Sequence, residues 1–337
     1  MKVEKTGERD KLSGFFVFFT RGKMPNFISK VKINTMLKKI FKYTFIAALG
    51  FAGCLLAFYF YLANQKGKPA DDFKVFQKQN ERKTLVIAHR GGKAIAPENT
   101  IEAFEKAREL GVDVLELDIR ATKDGEFVVI HDEEVDRTTN GKGLVADFTL
   151  EEIQKLDAGY KWTNDDGRTF PFRNKNVRIP TLREVFEKFP DITINIEPKH
   201  TEPSPTEPLC RIVSEFDRKD SIIVGSFNKV ILKDFRKNCP GIATSASPSE
   251  VSNFLGMYKV GLTANYHPKM QALQIPPQLA NIQVVDKQFV EAAHKQNLAV
   301  HVWTINEVEE MKYLIDIGVD GIMTDYPDRL IELLGEE

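Results

Sequence analysis

LVIAHRGGKAIAPENTIEAFEKARELGVDVLELDIRATKDGEFVVIHD, residues 85–132, decides the fold. It opens on LVIA (85–88), a short continuous apolar run with β-branched residues, the signature of a strand buried on both faces. Asn99-Thr100-Ile101-Glu102 then starts a helix whose Ile101, Phe104, Ala107 and Leu110 share one face, and Gly111 closes it. VDVLELDI (112–119) supplies the next strand and FVVIH (127–131) another. Strand, helix and strand in so short a space predict a parallel βαβ unit.

The same rhythm continues outward. ITINIE (192–197), SIIVGS (221–226), LTANYH (262–267), LAVHVWT (298–304) and VDGIMT (319–324) read as strands. Amphipathic helical patterns cover 181–189, 206–217, 228–238, 286–296 and 306–316. Such alternation predicts an α/β fold, a closed TIM (β/α)₈ barrel spanning 84–337. An open doubly wound sheet is the alternative, but no G-x-G-x-x-G follows the first strand. Residues 132–180, rich in Gly, Asp, Asn and Thr, break the rhythm and read as a small insertion after the second strand.

The chain has 337 residues, 42% hydrophobic and 28% charged, which excludes a disordered or disulfide-stapled class. Its net charge of −1 conceals a division: residues 1–42 carry eleven Lys/Arg against three Asp/Glu, and the remainder 36 against 45. Between them lies YTFIAALGFAGCLLAFYFYLA (43–63), uncharged and long enough to cross a bilayer. Residues 1–42 thus read as a basic cytoplasmic tail, 43–63 as a transmembrane helix and 64–83 as a polar stalk. The positive-inside bias puts the acidic body on the extracytoplasmic side. A cleaved signal peptide is the weaker reading, because the apolar run is too long and its leader too extended. Met36 with the following LKKIFK resembles a natural start, which leaves open whether residues 1–35 are translated, and FAGC ending at Cys54 faintly resembles a lipoprotein processing site. The apolar LLAFYFYLA after Cys54 counts against processing there. Topology explains the basic tail, so no nucleic-acid partner is expected. Whether Cys210 and Cys239 pair is left open by their spacing, as is the oligomeric state.

In a barrel of this kind chemistry gathers at the C-terminal ends of strands. LVIA ends at His89-Arg90, and FVVI ends at His131-Asp132. VDVLELDI carries Glu116 and Asp118, ITINI ends at Glu197-Pro198-Lys199, LAVHV at Trp303 and GIMT at Asp325. Glu116 and Asp118, two apart on a strand, point to one face, where two carboxylates repel unless a cation or proton lies between them. With Glu197 they form an all-oxygen set suited to one divalent cation, Mg²⁺ or Ca²⁺, more than to Zn²⁺. His89 and His131 are suited to exchange acid and base roles, and Arg90 and Lys199 to bind a phosphate. The remaining histidines read as structural. The constellation points to metal-assisted phosphoryl chemistry at a barrel mouth.

The stretch 88–143, with HRG, PENT, ExD and HD in order, resembles the signature region of the glycerophosphodiester phosphodiesterases. The resemblance continues through LDAG (156–159), IPTLREVF (179–186), IEPK (196–199), VWTIN (302–306) and GVDGIMTDYPD (318–328), with no departure at these positions. It implies a TIM barrel, a divalent metal on Glu116, Asp118 and Glu197, and catalytic histidines at His89 and His131. It further implies that His131 lies close enough to the metal to serve as a ligand, that Arg90 and Lys199 contact phosphate, and that Trp303 packs on the glycerol or phosphate side. The implied reaction converts glycerophosphodiesters, such as glycerophosphocholine or glycerophosphoethanolamine, to glycerol 3-phosphate and an alcohol. Two alternatives stand beside it. One is lysophospholipase D-type hydrolysis of lysophospholipids, with an apolar groove from NFLGMY (253–258) or QALQIPPQLANI (271–282). The other is a non-catalytic membrane-tethered binding module.

Overall fold

The computed structural model of the chain describes residues 29–64, 69–77, 84–279 and 282–335. Most of the basic tail and the ends of the expected stalk therefore lie outside the described residues.

Residues 85–121 form the expected unit: β1 (Leu85–Ala88), α3 (Ile101–Leu110) and β2 (Val114–Ala121). Ahead of them come α1 (Ser29–Ala63) and a single turn, α2 (Lys74–Gln77). The chain continues through β3 (Phe127–Val129), α4 (Leu150–Ile153), α5 (Leu182–Lys188), β4 (Thr193–Pro198) and α6 (Thr206–Glu215). Then follow β5 (Ile222–Val224), α7 (Lys229–Asn238), β6 (Ala243–Thr244), α8 (Pro248–Lys259) and β7 (Ala272–Ile275). A two-strand ribbon, β8 (Gln278–Leu279) with β9 (Ile282–Gln283), precedes α9 (Lys287–His294), β10 (Ala299–Val302), α10 (Val308–Asp316), β11 (Gly321–Thr324) and α11 (Pro327–Gly335).

Eight of these strands pair in parallel in the order β6-β5-β4-β2-β1-β11-β10-β7. A parallel bridge from Ser245 to Ala272 joins the two ends and closes the barrel. One outer helix follows each barrel strand, as right-handed crossovers require. Two of the strands expected from the sequence are not barrel staves. FVVIH yields β3, which runs antiparallel to β2 with Ile119 opposite Val129. LTANYH holds a 3₁₀ turn at Thr263–Asn265 instead of a strand. Their places are taken by β6 and β7. β6 has two small residues and so no apolar run, and β7 carries Gln274 amid its apolar residues.

Alternation organises the burial. Leu115, Leu117 and Ile119 of β2 face out under the helices, in a core shared with Phe104, Phe186, Phe189, Phe235, Phe254 and Phe289. Each such ring contributes about 2–3 kcal/mol by leaving water. Phe254, within the NFLGMY stretch, is wholly buried against Tyr266 and Phe289, so that face of α8 is core and not a groove. The insertion closes over its own cluster of Val128, Ile130, Val135, Val145, Ile153, Val177 and Ile179. Cys210 of α6 and Cys239, just past α7, are joined as a disulfide with Cα atoms 5.8 Å apart.

The apolar helix is long enough and apolar enough over Asn34–Ala63 to cross a membrane. Within the stretch expected to be a stalk, residues 69–77 pack on the base of the barrel. Ala70 N–H donates to the Gln296 carbonyl at 2.8 Å, Asn297 Nδ2 donates to the Ala70 carbonyl at 3.0 Å, and Val75 is buried against Ile223 and Ala243. If this segment belongs to the cooperative unit, Val75→Ala lowers unfolding stability by about 2 kcal/mol. Thermal melts of the full chain in detergent measure this, and an unchanged midpoint would mean that the segment does not belong to the cooperative unit.

Candidate active site

The site begins with the pleat of β2. Since Leu115, Leu117 and Ile119 face out, Glu116 and Asp118 point into the barrel, 3% and 1% exposed. In the parallel register Asp118 stands beside Glu197 and Glu116 beside Asn195, so β4 adds a third carboxylate to the same layer. One oxygen of each of Glu116, Asp118 and Glu197 lies within 4.8 Å of the others. Burial, and then the charge of Asp118, raises the Glu116 carboxyl well above the usual carboxylate range. Burial likewise raises Glu197, partly offset by Lys199.

The loop after β1 supplies the counter-charge. Arg90 adopts a left-handed conformation (φ 52°, ψ 34°). This turns its backbone N–H toward Glu116 Oε2 at 2.7 Å. Its guanidinium lies 3.3 Å from Asp118 Oδ2 and donates to Glu98 Oε1 at 2.8 Å. Gly91 follows at φ 79°, where a Cβ would meet Ala103 and Phe104 below 3.0 Å, so the turn admits no side chain. The PENT tetrapeptide has a physical reading residue by residue. Glu98 receives Arg90. Asn99, left-handed at φ 59°, receives Asp118 N–H and donates to Asp118 Oδ2 at 3.0 Å. Thr100 caps α3 by accepting from Ala103 N–H. From β4, Lys199 Nζ reaches Asp118 Oδ1 at 3.1 Å and Glu197 Oε2 at 2.9 Å.

Each histidine rests on a carboxylate through Nδ1, which turns Nε2 toward the cavity it lines. His89 Nδ1 is 2.6 Å from Asp325 Oδ1, and Asp325 is held in turn by Asn306 Nδ2 at 2.9 Å and Lys93 Nζ at 3.2 Å. His131 Nδ1 is 2.7 Å from Asp132 Oδ1. Burial lowers His131 from the ordinary imidazole value, opposed by Asp118 and Asp132, which favours the neutral ring at neutral pH.

All eight residues singled out from the sequence, His89, Arg90, Glu116, Asp118, His131, Glu197, Lys199 and Trp303, line one cavity of about 500 Å³ at the C-terminal ends of the strands. The lining also includes the apolar Ala246, Val251, Ile275, Pro276 and Phe227, whose ring meets Trp303 edge-on at 5.8 Å, interspersed with Ser226, Ser245 and Gln274. His200, His294 and His301 lie outside this cavity. The sequence reading left Asp325, Asn306, Glu98 and Asn99 without roles, although Asp325 stood at a strand end and the other three lay inside quoted motifs. Three convergent carboxylate oxygens beside a lysine and an arginine are a donor set that fits a hard divalent cation together with an anionic ligand.

The model of the glycerophosphoryl diester phosphodiesterase family matches residues 89–329. A glycerophosphodiester phosphodiesterase of Caldanaerobacter subterraneus subsp. tengcongensis is 43% identical over 259 residues, covering 75% of this chain and 98% of that protein. Human lysophospholipase D is 30% identical over 273 residues, covering 74% of this chain and 85% of that protein. Among solved structures, an Oleispira antarctica phosphodiesterase in complex with the product sn-glycerol-3-phosphate aligns with a TM-score of 0.59 at 27% identity, over 75% of this chain and 97% of that one.

The charge balance of the cluster has a consequence for stability. Because the folded Glu116 carboxyl titrates above its unfolded value, its contribution is fully present below the unfolded pKa and is lost as pH rises through the folded one. Glu116→Gln, which keeps the shape and an acceptor for Arg90 N–H, therefore stabilises the chelator-treated protein by about 1–2 kcal/mol at neutral pH. The gain vanishes near pH 4. Melts of the two proteins in EDTA across that range check it; a variant less stable at pH 7 contradicts it.

Proposed function

The chain belongs to the glycerophosphoryl diester phosphodiesterase family, and from that membership we propose how its residues divide the work and on which substrates. It is a phosphodiesterase of glycerophosphodiesters; glycerophosphocholine and glycerophosphoethanolamine are the proposed substrates, cleaved to glycerol 3-phosphate and the free alcohol. One observation carries the division of roles: two carboxylate-braced histidines line the same cavity as three convergent carboxylates and the cationic Arg90 and Lys199.

Arg90 and Lys199 bind the non-bridging phosphate oxygens and counter the charge that grows there in the transition state. Glu116, Asp118 and Glu197 would hold a divalent cation, which when bound supplies further positive charge to the phosphate. One histidine takes the proton of the nucleophile, a water or the substrate's own glycerol hydroxyl, as its oxygen bonds to phosphorus. The other gives a proton to the alcohol oxygen as its bond to phosphorus breaks. Asp325 and Asp132 fix the two rings with Nδ1 outward from the reaction, so each presents Nε2. Trp303 and Phe227 form the wall against which glycerol or the alcohol packs.

A second reading rests on that same wall. Phe227 is 61% exposed at the rim, and the human relative is a lysophospholipase D. An acyl chain leaving the cavity over Phe227 would make lysophosphatidylcholine a substrate.

We propose further that α1 is a single-pass anchor with its N-terminus in the cytoplasm and the barrel on the extracytoplasmic side. Lys38, Lys39 and Lys42 precede the apolar run, and the Cys210–Cys239 disulfide suits an oxidising compartment. Protease protection in intact cells tests this; a barrel shielded from external protease overturns it.

Catalysis is tested with the full chain in detergent on glycerophosphocholine, glycerophosphoethanolamine and lysophosphatidylcholine, each with EDTA, Mg²⁺ or Ca²⁺. Release of glycerol 3-phosphate from the first two, lost in EDTA and restored by one cation, is expected. His89→Ala and His131→Ala each lower kcat by at least about 100-fold with melting preserved. Wild-type turnover in either variant overturns the acid–base pair, and turnover of the lysolipid alone replaces the first reading by the second.

A further inference from the structure

The chain leaving His131 enters the insertion, and within one turn it presents Arg137. This guanidinium touches no residue assigned above to phosphate, metal or proton transfer, yet it lies between two that do. Its NH1 and NH2 donate in parallel to Glu98 Oε2 and Oε1 at 2.7 and 2.8 Å, and its Nε donates to Asp132 Oδ2 at 2.5 Å. Glu98 Oε1 also receives Arg90 NH1, and Asp132 Oδ1 holds His131 Nδ1. An unbroken chain of charge-assisted bonds thus runs Arg90–Glu98–Arg137–Asp132–His131.

We propose that Arg137 is a positioning residue that locks the phosphate-binding Arg90 and the histidine His131 into one frame, so that phosphate is gripped and a proton moved at a fixed separation. The proposal rests on the roles given to Arg90 and His131 above.

Geometry favours this over a loop-stabilising ion pair. Surface pairs contribute little, but Glu98 is 11% exposed and sits between two arginines, which hold its carboxyl down to about 2. Arg137 itself is half-exposed at 48%, with its reach turned inward and all three nitrogens engaged. Only a planar fork can bind one carboxylate bidentately and a second through Nε; a lysine ammonium at the same place meets one of them. The partners come from separate pieces of chain, the loop before α3 and the loop after β3. Arg137 is therefore where the register between phosphate grip and proton transfer is set.

The test uses the full chain in detergent with glycerophosphocholine, comparing wild type, Arg137→Ala and Arg137→Lys. With both arms loosened, kcat falls about 100-fold and KM rises several-fold in Arg137→Ala, the scale expected when reacting groups lose fixed geometry. The thermal midpoint stays within a few degrees. Arg137→Lys, which keeps the charge, recovers less than a tenth of the lost kcat. Methylguanidine, small enough to enter the half-exposed space, restores Arg137→Ala at least about tenfold and leaves wild type unchanged. Wild-type kcat and KM in Arg137→Ala overturn the proposal, as does full activity in Arg137→Lys, which also decides the matter should the alanine variant fail to fold. A loss that tracks melting and that methylguanidine does not relieve overturns it too. If the wild-type chain releases no glycerol 3-phosphate, the reading of the site fails instead, and Arg137 is not at issue.

Discussion

Three carboxylates crowded into the top layer of a barrel are the constraint around which this molecule is built. An isolated buried carboxylate costs several kcal/mol, and Glu116, Asp118 and Glu197 share one small volume. The fold meets the cost with groups brought from three directions. The left-handed turn at Arg90 delivers a backbone N–H to Glu116 and a guanidinium to Asp118. Asn99 satisfies Asp118 twice, and Lys199 bridges Asp118 to Glu197. The compensation is incomplete, since Glu116 and Glu197 remain raised. A carboxylate cluster of that kind fits a divalent cation, and the lysine and arginine that restrain it are the ones proposed to hold a phosphate. On the proposed reading, stability forgone here serves ligand affinity.

That layer explains how much could be read from sequence. A strand written LELDI puts apolar residues on one face and acids on the other, so Glu116 and Asp118 were legible from period two alone. Strand-end position at the barrel mouth brought out His89, Glu197, Lys199 and Trp303 as neighbours of those acids, whereas His131 reaches the same cavity from the end of β3, which is not a barrel stave. What escaped was of two kinds. β6 and β7 were missed because a barrel needs only two residues of ladder at Ala243–Thr244, while LTANYH has a better strand composition and forms a turn. The helix α8 was missed because only Val251 and Phe254 of its core face are fully buried, too few to give a clear apolar period. Asp325, Asn306, Glu98 and Arg137 were missed as partners because their pairing depends on which loops the closed barrel sets side by side. No spacing along the chain encodes that Arg137 meets Glu98, or that Asp325 meets His89.

The two histidine–carboxylate pairs are not equivalent. Asp325 is nearly buried, its side chain 7% exposed, and receives neutral Asn306 and a lysine. Asp132 is more open, and an arginine that also holds Glu98 bidentately grips it. The first pair is a fixed support built into the barrel's last strand end. The second hangs on the insertion, where Arg137 ties its carboxylate to Glu98 of the loop before α3.

Beside and below the carboxylates the barrel interior carries uncharged polar groups, and this confines the electrostatic cost. Asn195, in register with Glu116, accepts from Gln274 Nε2 at 2.9 Å, and the same amide lies 3.4 Å from His301 Nδ1. His301 is wholly buried and held down to about 4 by burial, so its ring stays uncharged at neutral pH. Gly321 gives it room, because a Cβ there would stand 3.0 Å from His301 Cδ2. Below it Phe76, from the segment that packs on the barrel base, closes against the ring at 6.1 Å. The interior therefore grades from aromatic and aliphatic at the base, through uncharged amide and imidazole, to fixed charge at the mouth. Had charge been placed a layer deeper, no cation, phosphate or water could reach it and the cost would stand uncompensated. Placed at the rim, solvent would screen the field that the proposed divalent ion and phosphodiester would meet. The layer occupied by Glu116, Asp118 and Glu197 is the depth at which both demands are met.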